Sequence, residues 1–194
     1  MYLLLLLITA LFILSILGGN WPFKLYHAHL IQKVAREFGV ASVDRGFWFS
    51  QTSREIVADY RQIPIQIRFL ERPLDSLKPI NSGLEVRARF PFRVVLEINH
   101  LRLKKREWGE FKQFLSGDRQ LDSQWFMLTP EPEHAAELWG RLRLEPVLRF
   151  PFLEQVLINH NEIIVRVRRF GSAARVKELA DLLVESLPDD GLQV

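Results

Sequence analysis

The first nineteen residues of the chain carry no charged side chain. From Tyr2 to Gly19, twelve of eighteen positions are Leu, Ile or Phe. As a helix this run would be about 27 Å long, close to the ~30 Å hydrocarbon core of a bilayer. At roughly −0.5 kcal/mol each on an insertion scale, the twelve favour insertion by about 6 kcal/mol. Trp21, Phe23 and Tyr26 follow at once, where an interfacial aromatic belt would lie. Gly18-Gly19-Asn20 and Pro22 punctuate the exit. A cleaved signal peptide would need a basic leader and a small-x-small cleavage site. No Lys or Arg precedes the run, and Leu17 stands three residues before a cut after Gly19. The expected layout is therefore a single transmembrane helix with its belt over residues 1–23, then a soluble domain over 24–194. Lys24, Lys33, Arg36 and Arg45 flank only the C-terminal side. The positive-inside rule then places the domain on the cytoplasmic face of the inner (cell) membrane.

All 26 basic and 23 acidic side chains fall after this segment. That charge density excludes a multi-pass membrane protein, and the hydrophobic fraction of 48% excludes a disordered chain. The absence of Cys excludes a disulfide scaffold, a thiol nucleophile and thiolate metal sites.

Residues 24–38 read as a helix: Tyr26, Leu30, Val34 and Phe38 recur every fourth position and Gly39 can stop it. Strand-like runs follow at 47–50, 55–60 and 63–69. In the last, Ile63, Ile65, Ile67 and Phe69 alternate with Pro64, Gln66 and Arg68, and Pro64 marks a strand start or an edge. Residues 71–83 read as a loop, 84–90 and 93–98 as strands, and 108–115 as a short helix. A turn at 116–124 leads into another strand. Thr129-Pro130-Glu131-Pro132-Glu133 is a helix start, the helix running to about Leu144. Residues 155–160 and 162–168 form a hairpin about His160-Asn161. A final helix runs from Ser172 to Leu187, with Val176, Leu179, Ala180, Leu183 and Leu187 on its apolar face. Hairpin spacing dominates, so the expected class is α+β with a largely antiparallel sheet and flanking helices. Residues 84–100 and 144–160 align without gaps, nine of 17 positions being identical. Shared strand composition explains this more simply than a duplicated half-domain, because the flanks do not match.

Catalytic signatures are missing: there is no Gly-x-Ser-x-Gly elbow, dinucleotide fingerprint or phosphate loop. His27 and His29 are the only candidate cofactor ligands, but residues two apart point about 200° apart on a helix. No cofactor and no metal is assigned. Asp118 and Asp122 are the nearest approach to paired carboxylates, and Gly117-Asp118 reads as turn chemistry. Arginine outnumbers lysine 19 to 7. Arg87 and Arg89 share one strand face, and Arg166 and Arg168 share another, fit for anionic headgroups or an acidic partner. Glu85, Glu97 and Glu162 are positioned to balance a solvated sheet face. A net charge of only +3 speaks against nucleic acid.

The run Ser116-Gly117-Asp118-Arg119-Gln120-Leu121-Asp122-Ser123-Gln124-Trp125 resembles a Gly-Asp-x-x-Phe-Asp-x-x-Phe pattern. That pattern occurs in uncharacterised bacterial membrane-anchored protein families. Leu121 and Trp125 take its two Phe positions, with Gly117, Asp118 and Asp122 as its frame. The resemblance implies the element order over residues 45–187 and no activity. The expected function is a non-catalytic accessory or assembly subunit of an integral membrane protein complex (respiratory, photosynthetic, secretory or envelope). The bilayer is its second partner, and Trp21, Phe23, Tyr26, Arg87, Arg89, Arg166 and Arg168 are its candidate interface. The alternative is a cytoplasmic-face module binding anionic lipid or a soluble ligand. An enzyme using Asp118 or Asp122 ranks third.

Overall fold

The structure is a computed structural model, and it describes residues 2–18, 21–40, 55–70, 83–101, 110–169 and 171–188. Two helices come first, α1 (Tyr2–Gly18) and α2 (Trp21–Glu37). Strands β1 (Glu55–Tyr60), β2 (Ile63–Leu70), β3 (Gly83–Arg89), β4 (Leu96–His100) and β5 (Lys112–Phe114) follow. Then come α3 (Arg119–Asp122), β6 (Trp125–Thr129), α4 (Pro132–Arg141), α5 (Glu145–Leu148), β7 (Leu153–Asn159), β8 (Glu162–Val167) and α6 (Ala173–Glu185). The fold is α+β. All eight strands join one antiparallel sheet in the order β1-β2-β3-β8-β7-β4-β6-β5.

Period-two alternation divides this sheet into two unlike faces. Ile56, Ile65, Ile67, Leu84, Val86, Ile163, Val165, Val156, Ile158, Leu96, Ile98 and Met127 point to one face and are buried. Helices cover that face: α2 through Ile31, Val34 and Ala35, α4 through Ala135 and Leu138, and α6 through Val176, Leu179, Ala180 and Leu183. The opposite face carries Glu55, Gln66, Arg68, Glu85, Arg87, Arg89, Glu162, Arg166, Gln155, Asn159, Glu97 and Asn99 by the same registers. Among the described residues every helix that buries side chains joins the core on the first face.

Several expectations change. The helix expected at 108–115 is strand β5 over its described part, because Phe114 gains more as an edge-strand residue, buried against Trp139 with ring centroids 6.0 Å apart. The helix expected to reach Leu144 ends at Arg141 and restarts as α5, since Pro146 fits only a first helical turn. Pro64 is the second residue of β2, which is an interior strand; pairing with β3 begins only at Ile65. In the internal echo, Glu85–Arg89 is strand and Glu145–Leu148 is helix, so the two segments are not copies of one unit. α1 stops at Gly18 after 17 residues, about 26 Å, and among the described residues no helix is long and apolar enough to cross a membrane. The strand expected at 47–50 lies outside the described residues.

Arg61 and Gln62 form the β1–β2 turn with φ of +52° and +67°, the left-handed pair of a type I′ turn in which Asn-Gly is the usual choice. Arg61 gains contacts to α6 from this geometry: its guanidinium lies 2.8 Å from both Asp181 and Glu185. Tyr60 donates to Asp181 at 2.6 Å and meets Phe38 edge-on. Left-handed backbone costs roughly 1–2 kcal/mol per non-glycine residue, whereas the exposed Arg61 ion pairs are largely screened by water. Replacing Arg61-Gln62 with Asn-Gly should therefore stabilise the protein by about 1 kcal/mol in urea melts. A loss of that size would show that the grip on α6 dominates.

Candidate functional site

A chain of charged and amide side chains crosses the face opposite the described helices, over the four central strands. Glu85 is its hub, a carboxylate only 2% exposed. Its position at the middle of β3, hydrogen-bonded to β2 on one side and β8 on the other, keeps water away. Arg166 Nε donates to Glu85 Oε2 at 2.7 Å, and Arg87 Nε donates to Oε1 at 2.7 Å. Arg166 Nη1 then donates to Gln155 Oε1 at 2.6 Å. Gln155 Nε2 reaches Glu97 Oε1 and Asn99 Oδ1, each at 2.9 Å, and Asn99 Nδ2 also donates to Glu97. At the other side Arg87 approaches Glu162 at 3.6 Å, and Asn159 Nδ2 donates to the same carboxylate at 3.2 Å.

Burial pushes the Glu85 carboxyl up, but the hydrogen bonds and charges of Arg166 and Arg87 together outweigh it and hold Glu85 below its ordinary range. Burial likewise pulls the Arg87 guanidinium down, and its bond to Glu85 together with the charges of Glu85, Glu162 and Glu55 outweighs it and holds Arg87 above its ordinary value. Both arginines are spent on internal partners. Nothing here resembles a poised general base, because the carboxylates are committed to guanidinium and amide donors. Glu55 Oε1 is buried with no hydrogen-bond partner among the described residues.

The four arginines singled out from sequence thus part company. Arg87 and Arg166 meet on Glu85. Arg89 and Arg168 are exposed at opposite ends of the sheet, Arg89 opposite Glu162 and Arg168 just past Val167. Arg168 N–H donates to the Phe152 carbonyl at 2.9 Å.

The Gly117–Trp125 run folds into a self-bonded corner. Gly117 takes φ +85°. Asp118 caps α3, its Oδ1 accepting from the backbone of Gln120 at 2.7 Å and Leu121 at 3.4 Å. Asp122 Oδ1 accepts from the Ser116 N–H at 2.9 Å and its hydroxyl at 2.8 Å. Leu121 and Trp125 are buried in the core. The Trp125 ring meets His100 edge-on at 5.1 Å, while its indole N–H has no partner among the described residues. The two carboxylates do not face a shared cleft; each closes a loop.

His29 is exposed on α2. The side chains of Trp21, Phe23, Tyr26 and His27 lie outside the described residues. Among the described residues no group of three or more His, Asp or Glu could hold a metal ion.

No family model matches the chain, and no curated protein matches it. One solved structure does: the crystal structure of the mycobacterial trehalose monomycolate transport factor A, TtfA. The superposition has a TM-score of 0.51 at 14% identity, covering 82% of this chain and 95% of that one. The fold is similar to that of TtfA. At this identity the likeness concerns architecture.

Sequence reading missed Gln155, Asn99 and Asn159 as members of the network. Their signal was alternation of polar residues on paired strands, which becomes a network only once register is known.

Two variants test these assignments. Glu85→Gln keeps shape and removes charge. Leaving partners of a buried charge unpaired costs 3–5 kcal/mol when they are fully dry; with Arg166 40% and Arg87 26% exposed, about 2–3 kcal/mol is expected at pH 7. Because the folded carboxyl lies below its ordinary value of 4.5, the stabilisation is full above that value and fades as pH falls through the folded one. The Gln variant should lack this acid limb in melts recorded against pH. Asp118→Ala should cost about 0.5–2 kcal/mol and Asp118→Asn clearly less, because the amide oxygen still caps α3. Equal functional loss in both without destabilisation would instead mark an active-site carboxylate.

Proposed function

We propose that this protein is a membrane-tethered, non-catalytic accessory subunit of an envelope membrane complex, with its sheet domain on the cytoplasmic side. One observation carries the reading: the side chains of residues 2–13 of α1 are exposed all round the helix, among them Leu3, Leu4, Leu5, Leu6, Leu7, Ile8, Leu11, Phe12 and Ile13. Water would penalise this surface at roughly 25 cal/mol per Å², so lipid or another apolar helix is its natural surrounding. The 26 Å length is a few ångströms short of the hydrocarbon core, a mismatch that costs fractions of a kcal/mol per Å and is met by local thinning or by the adjoining Trp21, Phe23 and Tyr26. The likeness to TtfA, described as a transport factor, supports an accessory role in envelope transport. The charge network supports a domain that presents shape rather than chemistry, since its ionised groups are bonded to one another.

An arginine at a helix centre costs about 2.5–3.5 kcal/mol on an insertion scale. Leu7→Arg with Leu11→Arg should cancel the ~6 kcal/mol that favours insertion. The double variant is expected to leave the membrane fraction and to lose the co-purifying complex, while a single cysteine at exposed Ala136 resists impermeant thiol reagents in intact cells expressing the parent anchor. Retention of the complex by the released domain would move docking from α1 to the sheet domain, and ready labelling from outside would reverse the topology.

A further inference from the structure

We propose that the turn carrying Phe152, with Arg168 and Arg169 beside it, docks into an apolar pocket ringed by carboxylates on another subunit of the complex; this deepens the accessory-subunit reading above and rests on it. The run Arg-Phe-Pro-Phe occurs twice in the chain, at 89–92 and at 149–152. In the first occurrence Phe92 closes on the core and is 5% exposed. In the second the two aromatics part: Phe150 is buried, whereas Phe152 is 56% exposed. Leu153 is buried as well, so the core draws on the residues either side of Phe152.

The backbone adds a second cost to that exposure. Leu153 N–H donates to the Phe150 carbonyl at 3.3 Å and closes a four-residue turn. Pro151 holds its second place and Phe152 its third, with φ of +64°. This is the pattern of a type II turn, whose third place requires positive φ and is ordinarily glycine. A bulky side chain there is strained. The Phe152 carbonyl accepts from the Arg168 N–H at 2.9 Å, which ties the turn to the chain just past β8 and fixes its direction. The Arg169 guanidinium lies over the ring, 5.9 Å from its centroid. At an exposed site such a contact offsets less than the left-handed backbone costs. Glycine would remove both penalties and keep the turn. An aromatic held on strained backbone and turned to solvent is placed for a contact outside the chain.

The charges around the ring define the partner. Arg168 and Arg169 are exposed, and neither has an ion-pair partner among the described residues. Arg149 differs, being held by Glu145 on α5. Glu154, half-buried, is the carboxylate nearest to Phe152 in the chain. Two uncommitted guanidinium groups call for carboxylates or phosphates, and aromatic residues with arginine are what protein interfaces concentrate. The place of Arg169 decides between a protein and a bilayer. Its charge lies over the ring, so sinking the ring into hydrocarbon would carry an unpaired guanidinium out of water. A protein pocket can set a carboxylate at that point. The fixed direction of the turn also lowers the ordering cost of entering a shaped pocket, an advantage that fluid lipid does not reward.

Full-length protein with p-benzoylphenylalanine in place of Phe152 would be irradiated in intact cells, with exposed Ala136 on α4 as the comparison position. A cross-link to another subunit, at a peptide holding Asp or Glu, is expected from 152 and not from 136. Arg168→Glu with Arg169→Glu should suppress it about tenfold at an unchanged melting temperature, and changing the partner's carboxylate residue to Arg should restore it. Phe152→Gly separates folding from docking. Relief of strain should raise the melting temperature by about 2 °C, while recovery of the complex falls about tenfold. A merely structural role would lower both. A glycine variant that melts lower, or that keeps the complex in full, overturns this proposal alone. So does a complex recovered without a cross-link from 152, a cross-link indifferent to the charge reversal, or cross-links to lipid alone or to a second copy of this chain. A parent protein that brings down no complex overturns the accessory-subunit reading, and this proposal with it.

Discussion

Glu85 is a carboxylate with almost no contact with water in the middle of an eight-stranded sheet. Such a charge is tolerable only when matched, and the match comes from Arg87 on its own strand and Arg166 on the next. A slip of β8 by one residue against β3 would turn Arg166 to the helix-covered face and put Val165 or Val167 beside the carboxylate. The same slip would turn Ile163, Val165 and Val167 out of the core. Charge and hydrophobic pattern thus specify one register, and Gln155, Glu97 and Asn99 extend that specification to β7 and β4. Buried ion groups are not large net stabilisers. Here the group disfavours a one-residue slip of β8 against β3.

The elements legible in the sequence were those whose signals are local. The β7–β8 hairpin about His160-Asn161, β2 with its alternating isoleucines, and α6 with its Ser172 cap and apolar stripe all lie where the pattern places them. The elements that escaped depend on partners distant in the chain. Residues 112–114 become a strand because β6 offers an unpaired edge and Trp139 a contact for Phe114. Nothing within their own neighbourhood announces this. The break after Arg141 was visible in Pro146, yet the apolar spacing of Leu138, Leu142 and Leu144 masked it.

The candidate residues divide in the same way. Pairing of Arg87 with Arg89, and of Arg166 with Arg168, followed from period two and was legible. Which member of each pair would be tied down was not, because that depends on the offset between β3 and β8, set by chain outside either strand. Glu85, Glu97 and Glu162 were recognised as balancing charges; their bonding through Gln155, Asn99 and Asn159 required the assembled sheet. Asp118 was legible as turn chemistry because its cap acts within three residues.

α2 is one uninterrupted helix from Trp21 to Glu37. Its last turns are clamped: Ile31, Val34 and Ala35 are buried, Glu37 reaches Lys177, and Phe38 lies edge-on to Tyr60. A helix resists bending over so short a span, whereas a glycine-serine linker would absorb it. Any tilt or rotation imposed at Trp21 therefore arrives at α6, and through the Tyr60–Asp181 bond at the first hairpin, as rigid movement. The lever arm between Trp21 and the clamp at Ile31 is about 15 Å, so a 10° tilt of that arm corresponds to about 3 Å at its end. The connection therefore passes on a change of orientation that a flexible linker would lose.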